Sequence, residues 1–245
     1  MALSTNPHDI IHPDDRWIPS NSLTEKELTQ VLPPLVRKIR KEVYEWRSKD
    51  YPGVSDTTKN LIYWWFKTEH QNFNYYFAQR EAIETIIYIY EVKGIREKDT
   101  LYDKYNSFPD VSIKHFSEHW LRLVTKMATG SGKTKVMSLA IVWSYFNRVY
   151  ENNNELSSNF LIIAPNIIVL DRLKTDFENN NIFRNDPCIP EDGYFNQNWK
   201  MDFINKVDVH IQKQARVNKK RGNIFLTNIQ QIYVNNSKTS SLNSE

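Results

Sequence analysis

Residues 121–150, LRLVTKMATGSGKTKVMSLAIVWSYFNRVY, decide how this chain is read. A short run rich in apolar and β-branched residues (Leu121, Leu123, Val124, Thr125) leads into Gly130-Ser131-Gly132-Lys133-Thr134. A helical pattern follows at once, with Val136, Met137, Ala140, Ile141 and Ser144 on one face. Strand, glycine-rich loop, helix is the order that gives a phosphate-loop pattern its physical content. Glycines let the backbone curl so that several N–H groups aim at one anion, and the positive end of the helix dipole faces the same point. In that arrangement Thr129, Gly130, Ser131 and Gly132 line the cradle. Lys133 reaches the β- and γ-phosphates, which makes it the candidate catalytic residue, and the Thr134 hydroxyl ligates Mg²⁺. The bland alternative is a glycine turn capping an ordinary helix. In a chain with only six glycines, Gly-Lys-Thr in the right place favours the phosphate reading.

Composition sets wide bounds. The 245 residues suffice for one large domain or two small ones with an ample core. Thirty-two basic against twenty-nine acidic side chains give a net charge of +3, so any nucleic-acid surface has to be a local patch. A single cysteine, Cys188, excludes an internal disulfide framework and a cysteine-only zinc site, and fits a reducing cytoplasm. The start, MALSTNPHDI, has no basic region followed by an apolar stretch, so no signal peptide is expected. The longest apolar runs (61–66, 160–165 and 167–170) fall far short of the ~18 residues that suggest a membrane span. The expectation is a soluble cytoplasmic protein with no membrane partner.

Outward from the loop, residues 1–20 carry Pro7, Pro13 and Pro19 and read as an extended arm. Ser22-Leu23-Thr24-Glu25 has capping-box spacing. A helix from Pro33-Pro34 to about Arg47 has the stripe Val36, Ile39, Val43 and Trp46. Ser55 or Asp56 caps a third helix whose aromatics (Trp64, Trp65, Phe66) read as core rather than as a stacking surface. Residues 75–93 form a strong helix stopped by Gly94. His115 and His119 stand at i, i+4, but without a neighbouring Glu or a third ligand they read as a surface helix. Beyond the loop, Phe160–Ala164 is a continuous apolar run of the buried-strand kind, broken by Pro165-Asn166, and 167–178 return to helix. Residues 179–198 read as irregular. Val207, Val209 and Ile211 alternate as in a half-exposed strand, 213–221 form a basic loop, and Ile224–Leu226 is a strand ending at Thr227-Asn228. The tail 235–245 has no core pattern and is expected to be disordered. Strands alternating with helices predict an α/β fold with a mainly parallel sheet and helices on both faces, preceded by a helical extension.

Four segments carry a family resemblance. Met127–Thr134 resembles motif I of superfamily 2 helicases and translocases, and Phe77-Ala78-Gln79-Arg80-Glu81-Ala82 is similar to their upstream Q motif. A Gln amide donates and accepts at once and so matches an adenine edge, with Tyr76 or Phe77 able to offer an aromatic face. Residues 160–178 resemble motif Ia with its following helix, and 224–233 resemble the later Thr-Asn segment. Together they resemble the type III restriction (Res subunit) branch of the DEAD/DEAH-box helicases. That resemblance implies a RecA-like phosphate-loop NTPase domain over residues 71–234, after an arm and helical extension over 1–70. It implies ATP and Mg²⁺ as cofactors, Gln79 as the adenine contact, and Pro165, Asn166, Thr227 and Asn228 along a DNA groove, holding phosphates of duplex DNA without reading bases.

Ile167–Asp171 mimics a Walker B strand, but the preceding Pro165-Asn166 break and the amphipathic continuation place Asp171 on a helix. No other segment supplies an Asp-Glu-x-His/Asp box, and the second motor domain with its arginine finger is not recognisable. The expected reading is therefore the front part of an ATP-dependent DNA translocase, ending before motif II and hydrolysing ATP barely if at all. It would act with a modification (methyltransferase) subunit or with the other half of the motor. The alternatives are a non-catalytic nucleotide-binding or regulatory module, or a phosphate-loop NTPase that does not act on nucleic acid.

Overall fold

The computed structural model describes residues 6–15, 24, 26–27, 33–105, 120–193, 197–211 and 220–234. They fall into two compact units, one made of Met1–Val54 and Asn74–Val136, the other of Ser55–Phe73 and Met137–Glu245. Ser22, Glu25, His115, His119, most of the basic loop and the tail 235–245 lie outside the described residues.

In the first unit, α1 (Pro34–Ser48) starts on proline, whose fixed φ suits a first helical position, and buries Ile39, Val43 and Trp46. Val36 from the expected stripe is exposed. α3 (Phe77–Ile87) continues as a π-helical turn, Tyr88–Val92, and Gly94 follows at φ +62. Ile83 and Ile87 on α3 are buried together with Glu84. Trp46 packs edge-on against Tyr51 with ring centroids 4.9 Å apart. α4 (Lys98–Tyr105) buries Tyr105, whose hydroxyl donates to Glu42. Upstream, Thr24 and Glu27 cap each other, the Glu27 carboxylate accepting from the Thr24 N–H at 2.9 Å. That is the expected device, found two residues further along.

The strand expected over 121–125 is not formed. Residues 121–128 carry no regular structure, and Val124 is 90% exposed. A strand is stabilised by its neighbours rather than by its own propensity, and no described strand pairs with this run.

In the second unit, α2 (Asp56–Phe66) is capped by Ser55, whose hydroxyl accepts from the Thr58 N–H. Trp65 is buried and donates to the Cys188 carbonyl at 2.8 Å, so this aromatic run is core, as expected. α5 (Lys133–Tyr150) begins in the first unit and continues here, where Leu139, Val142, Trp143, Tyr145 and Phe146 are buried. Phe146 stacks on Trp199 of α8 (Trp199–Lys206) with centroids 4.6 Å apart and planes 15° apart.

Among the described residues the sheet has three strands: β1 (Asn159–Ala164), β2 (Val207–Ile211) and β3 (Gly222–Asn228). Their order is β1-β3-β2 and both pairings are parallel, with Asn159 opposite Asn223 and Ala164 opposite Asn228. Helices α6 (Ile167–Phe177), α7 (Asn181–Asn185) and α8 lie between β1 and β2 in the chain. A polar chain crosses all three strands: the buried His210 ring meets Asn223 Oδ1 at 2.9 Å, and Asn223 donates to Asn159 at 2.8 Å. β1 departs from its expected burial, for Leu161 is 62% and Ile163 46% exposed on an edge strand. Asp171 lies on α6, as the sequence predicts, and pairs with Lys174 at 3.1 Å.

Burial raises the hydroxyl pKa of Tyr51, Tyr105 and Tyr145 above the ordinary tyrosine value, and Tyr150 is pushed up to about 12, with the Glu84 charge adding to the effect on Tyr51 and the Asp202 charge to that on Tyr150. The folded chain therefore holds these protons more tightly than the unfolded one. Their stabilisation is complete below the unfolded value near ~10 and is lost as pH rises beyond it. Thermal midpoints measured between pH 8 and 11.5 are expected to be flat up to about pH 10 and to fall steeply above it; a flat profile throughout contradicts the burial.

Candidate functional site

The phosphate loop lies in the first unit. Gly130 and Gly132 take φ of +79 and +81, a region closed to most side chains, and this curls the backbone ahead of α5. The Ser131 hydroxyl closes the turn by donating to the Ala128 carbonyl at 2.7 Å. Lys133 is exposed, and its ammonium donates to the carbonyls of Met127 at 3.0 Å and Ala128 at 2.8 Å. The cation is thus folded over the mouth of its own loop and rests on two neutral acceptors. Thr134 is half-buried in the first turn of α5.

Gln79 enters this loop from α3. Its amide oxygen accepts from the Tyr76 N–H at 3.0 Å, and its amide nitrogen donates to the Ser131 carbonyl at 3.0 Å. The side chain is 4% exposed and lies against Gly132, where an added Cβ would stand 2.2 Å from Nε2. The residue read as an adenine contact is therefore also a fastener between the start of α3 and the phosphate loop. Of the two aromatics beside it, Phe77 is buried with the Arg47 guanidinium 5.3 Å from its ring centre, whereas Tyr76 is 39% exposed.

The structure brings Gln79 together with Ser131, Gly132 and Lys133. Pro165, Asn166, Thr227 and Asn228 come together separately, in the second unit. Parallel register sets Ile163 opposite Thr227 and Ala164 opposite Asn228, so both segments leave the carboxyl ends of neighbouring strands. Each then enters a helix through an asparagine cap: Asn166 accepts from Val169 N–H at 2.9 Å, and Asn228 from Gln231 N–H at 2.9 Å. Pro165 and Asn166 are exposed, Thr227 is half-buried with its hydroxyl 3.2 Å from Gln231, and Asn228 is buried.

Among the described residues no group of three or more His, Cys, Asp or Glu side chains could hold a metal. A single hydroxyl such as Thr134 suits a cation that keeps most of its waters and takes the rest of its oxygen from a nucleotide.

A family model described as the type III restriction enzyme, res subunit, matches residues 69–245, well over half of the chain. The chain belongs to this family. It is a RecA-like α/β protein, and the described parallel sheet is flanked by helices, as the motif order predicts. The match makes it a helicase-like ATP-binding domain related to type III restriction enzymes. No curated protein and no solved structure matches it. No helix among the described residues is long and apolar enough to cross a membrane.

Proposed function

We propose that this chain grips Mg·ATP through Thr129–Thr134 and serves as the nucleotide-binding part of a DNA translocase of the restriction type. The carrying observation is the curled loop of Gly130 and Gly132 with Lys133 poised over it, at the head of the 18-residue helix α5. Lys133 and the loop N–H groups neutralise the phosphate charge, Thr134 offers Mg²⁺ an oxygen, and Gln79 holds the loop in place and faces the adenine. When bound, Mg²⁺ would neutralise charge on the β- and γ-phosphate oxygens. Pro165, Asn166 and Thr227 mark a surface for the phosphates of duplex DNA; Asn228, buried and engaged in capping, acts there by shaping the turn.

Turnover is assigned to a larger assembly. Residues 1–245 hold no Asp-Glu-x-His/Asp box to hold Mg²⁺ and orient water. Support comes from β1, which exposes Leu161 and Ile163 although strands of parallel sheets are normally covered on both faces. Another layer packed on that face, from a partner subunit or from the rest of the motor, would cover them.

Binding of labelled ATP to wild type and Lys133→Ala tests the site. The variant is expected to bind about tenfold more weakly or worse, since it loses charge-assisted hydrogen bonds; equal affinity removes the phosphate-loop assignment. Salt-dependent binding of labelled duplex in the presence of an ATP analogue tests the DNA assignment. Its absence would leave an NTPase that does not act on nucleic acid, and strong DNA-stimulated hydrolysis by the 245-residue chain would sink the claim that turnover needs more.

A further inference from the structure

We propose that the N-terminal arm is a strap that sets the nucleotide site. Pro7 and His8 are its positioning residues: they hold the first turn of α3 and so act on the bound nucleotide through Gln79. The strap rests on the phosphate-loop reading and gives control of that site to a segment far upstream of it.

The arm has no core of its own. None of residues 6–15 is buried, and Ile10 is 47% exposed. Polar bonds tie it down instead. Asn6 folds it into a local turn, accepting from the His8 N–H at 3.2 Å and donating to Asp9 at 3.0 Å. That turn docks on the start of α3: the Pro7 carbonyl accepts from the Phe77 N–H at 2.8 Å, and His8 Nδ1 donates to the Tyr75 carbonyl at 3.1 Å. Further along, Asp14 pairs with Lys41 at 2.7 Å, and the His12 ring meets Tyr44 edge-on with centroids 4.7 Å apart. Both partners lie on α1, so the arm joins the start of α3 to the middle of α1.

The place of these bonds gives them their effect. The first N–H groups of a helix have no acceptor inside it. At the start of α3 two such groups are met by outside acceptors: Gln79 Oε1 takes the Tyr76 N–H at 3.0 Å, and the Pro7 carbonyl takes the Phe77 N–H. The other end of the same Gln79 amide donates to the Ser131 carbonyl at 3.0 Å. One amide therefore bridges the first turn of α3 and the phosphate loop, and the arm completes that turn from the far side. Phe77 is buried, so water is a poor replacement for the Pro7 carbonyl. Undocking the arm leaves this donor unmet, frays the turn and frees Gln79 from Ser131. Coupling between two binding events is reciprocal, so a nucleotide that favours the fastened loop also tightens the arm.

Calorimetry of the 245-residue chain with a non-hydrolysable ATP analogue and Mg²⁺ reads the first half of this coupling. His8→Ala combined with Asp14→Ala removes a side-chain anchor at each end of the arm and is expected to weaken the analogue about tenfold. His8→Asn places an amide N–H where Nδ1 stood, without the ring, and is expected to bind as wild type does. In a Gln79→Ala background the same double substitution should cost no more than about twofold, because the residue through which the arm acts is gone. A full loss in that background would mean that the arm only supports the fold, which overturns the proposal. Amide exchange on the unaltered chain reads the second half: saturating analogue should slow exchange at Phe77 and along residues 8–15 by about tenfold. Unchanged exchange there also overturns it. If Lys133→Ala loses the analogue while the arm variant binds normally, the strap is wrong and the phosphate loop stands. If Lys133→Ala binds like wild type, the phosphate-loop reading fails and the strap fails with it.

Discussion

Glu84→Ala is expected to destabilise the protein by about 3–5 kcal/mol in urea unfolding, the range for stripping the counterion from a buried ion pair. Glu84 is fully buried on α3, and all its acceptor capacity faces polar partners. Oε2 accepts from Arg47 Nε at 2.8 Å and from Arg47 Nη2; Oε1 accepts from the Tyr51 hydroxyl at 2.7 Å and from Arg80 Nε at 2.8 Å. Arg80 also donates to the Tyr51 hydroxyl at 2.7 Å. One carboxylate thus satisfies two guanidinium groups and a phenol. Removing it strands Arg47, whose side chain is 6% exposed and whose Nη1 already has no hydrogen-bond partner among the described residues.

Two controls separate charge from shape. Glu84→Gln keeps the size and one acceptor and should cost less than alanine. Pairing Glu84→Leu with Arg47→Met removes both charges, and a well-packed apolar replacement of a buried pair is often nearly neutral. The double variant should therefore be milder than Glu84→Leu alone. If the two losses simply add, the pair does not act as a unit. The consequence reaches the site, since α3 carries Gln79 and the network fixes α3 to α1.

How much of this was legible in the sequence depended on how local each cause was. α1 and α6 were readable because their starts are written in single residues, Pro34 and the Asn166 cap. The loop itself was readable because Gly130 and Gly132 stand where positive φ is needed. α8 was missed: its cap, Asn198, closes an Asn- and Pro-rich stretch that read as irregular, and the clue was that cap with Asp202 in the first turn. The strand over 121–125 was over-read, because β-branched residues mark a strand only when neighbours exist to pair with it. The Arg47–Glu84 pair joins residues 37 apart, and the bond from His8 to the Tyr75 carbonyl joins residues 67 apart. No local pattern announces such contacts. For Gln79, the sequence pointed to the nucleotide site but not to an amide already fastened to Ser131.

Gly132→Ala is expected to abolish most nucleotide binding, by about a hundredfold, while Gly130→Ala does much less. Both glycines take positive φ, so alanine at either costs about 1–2 kcal/mol of backbone strain. Beyond that they differ. A Cβ at Gly130 meets nothing within 4 Å, whereas at Gly132 it would stand 2.2 Å from Gln79 Nε2 and 3.3 Å from its Cδ. Either the Gln79 amide leaves, giving up two hydrogen bonds worth about 0.5–1.5 kcal/mol each, or the loop uncurls. Both outcomes spoil the cradle, and their sum with the strain reaches a few kcal/mol, each 1.4 of which is a factor of ten. Calorimetry with an ATP analogue reads the difference directly. A second substitution sharpens the cause: Gly132→Ala combined with Gln79→Ala removes the clash but not the strain, so it should bind more tightly than Gly132→Ala alone. If it binds no better, the Gln79 contact is not what makes glycine necessary at 132, and backbone strain alone carries the loss.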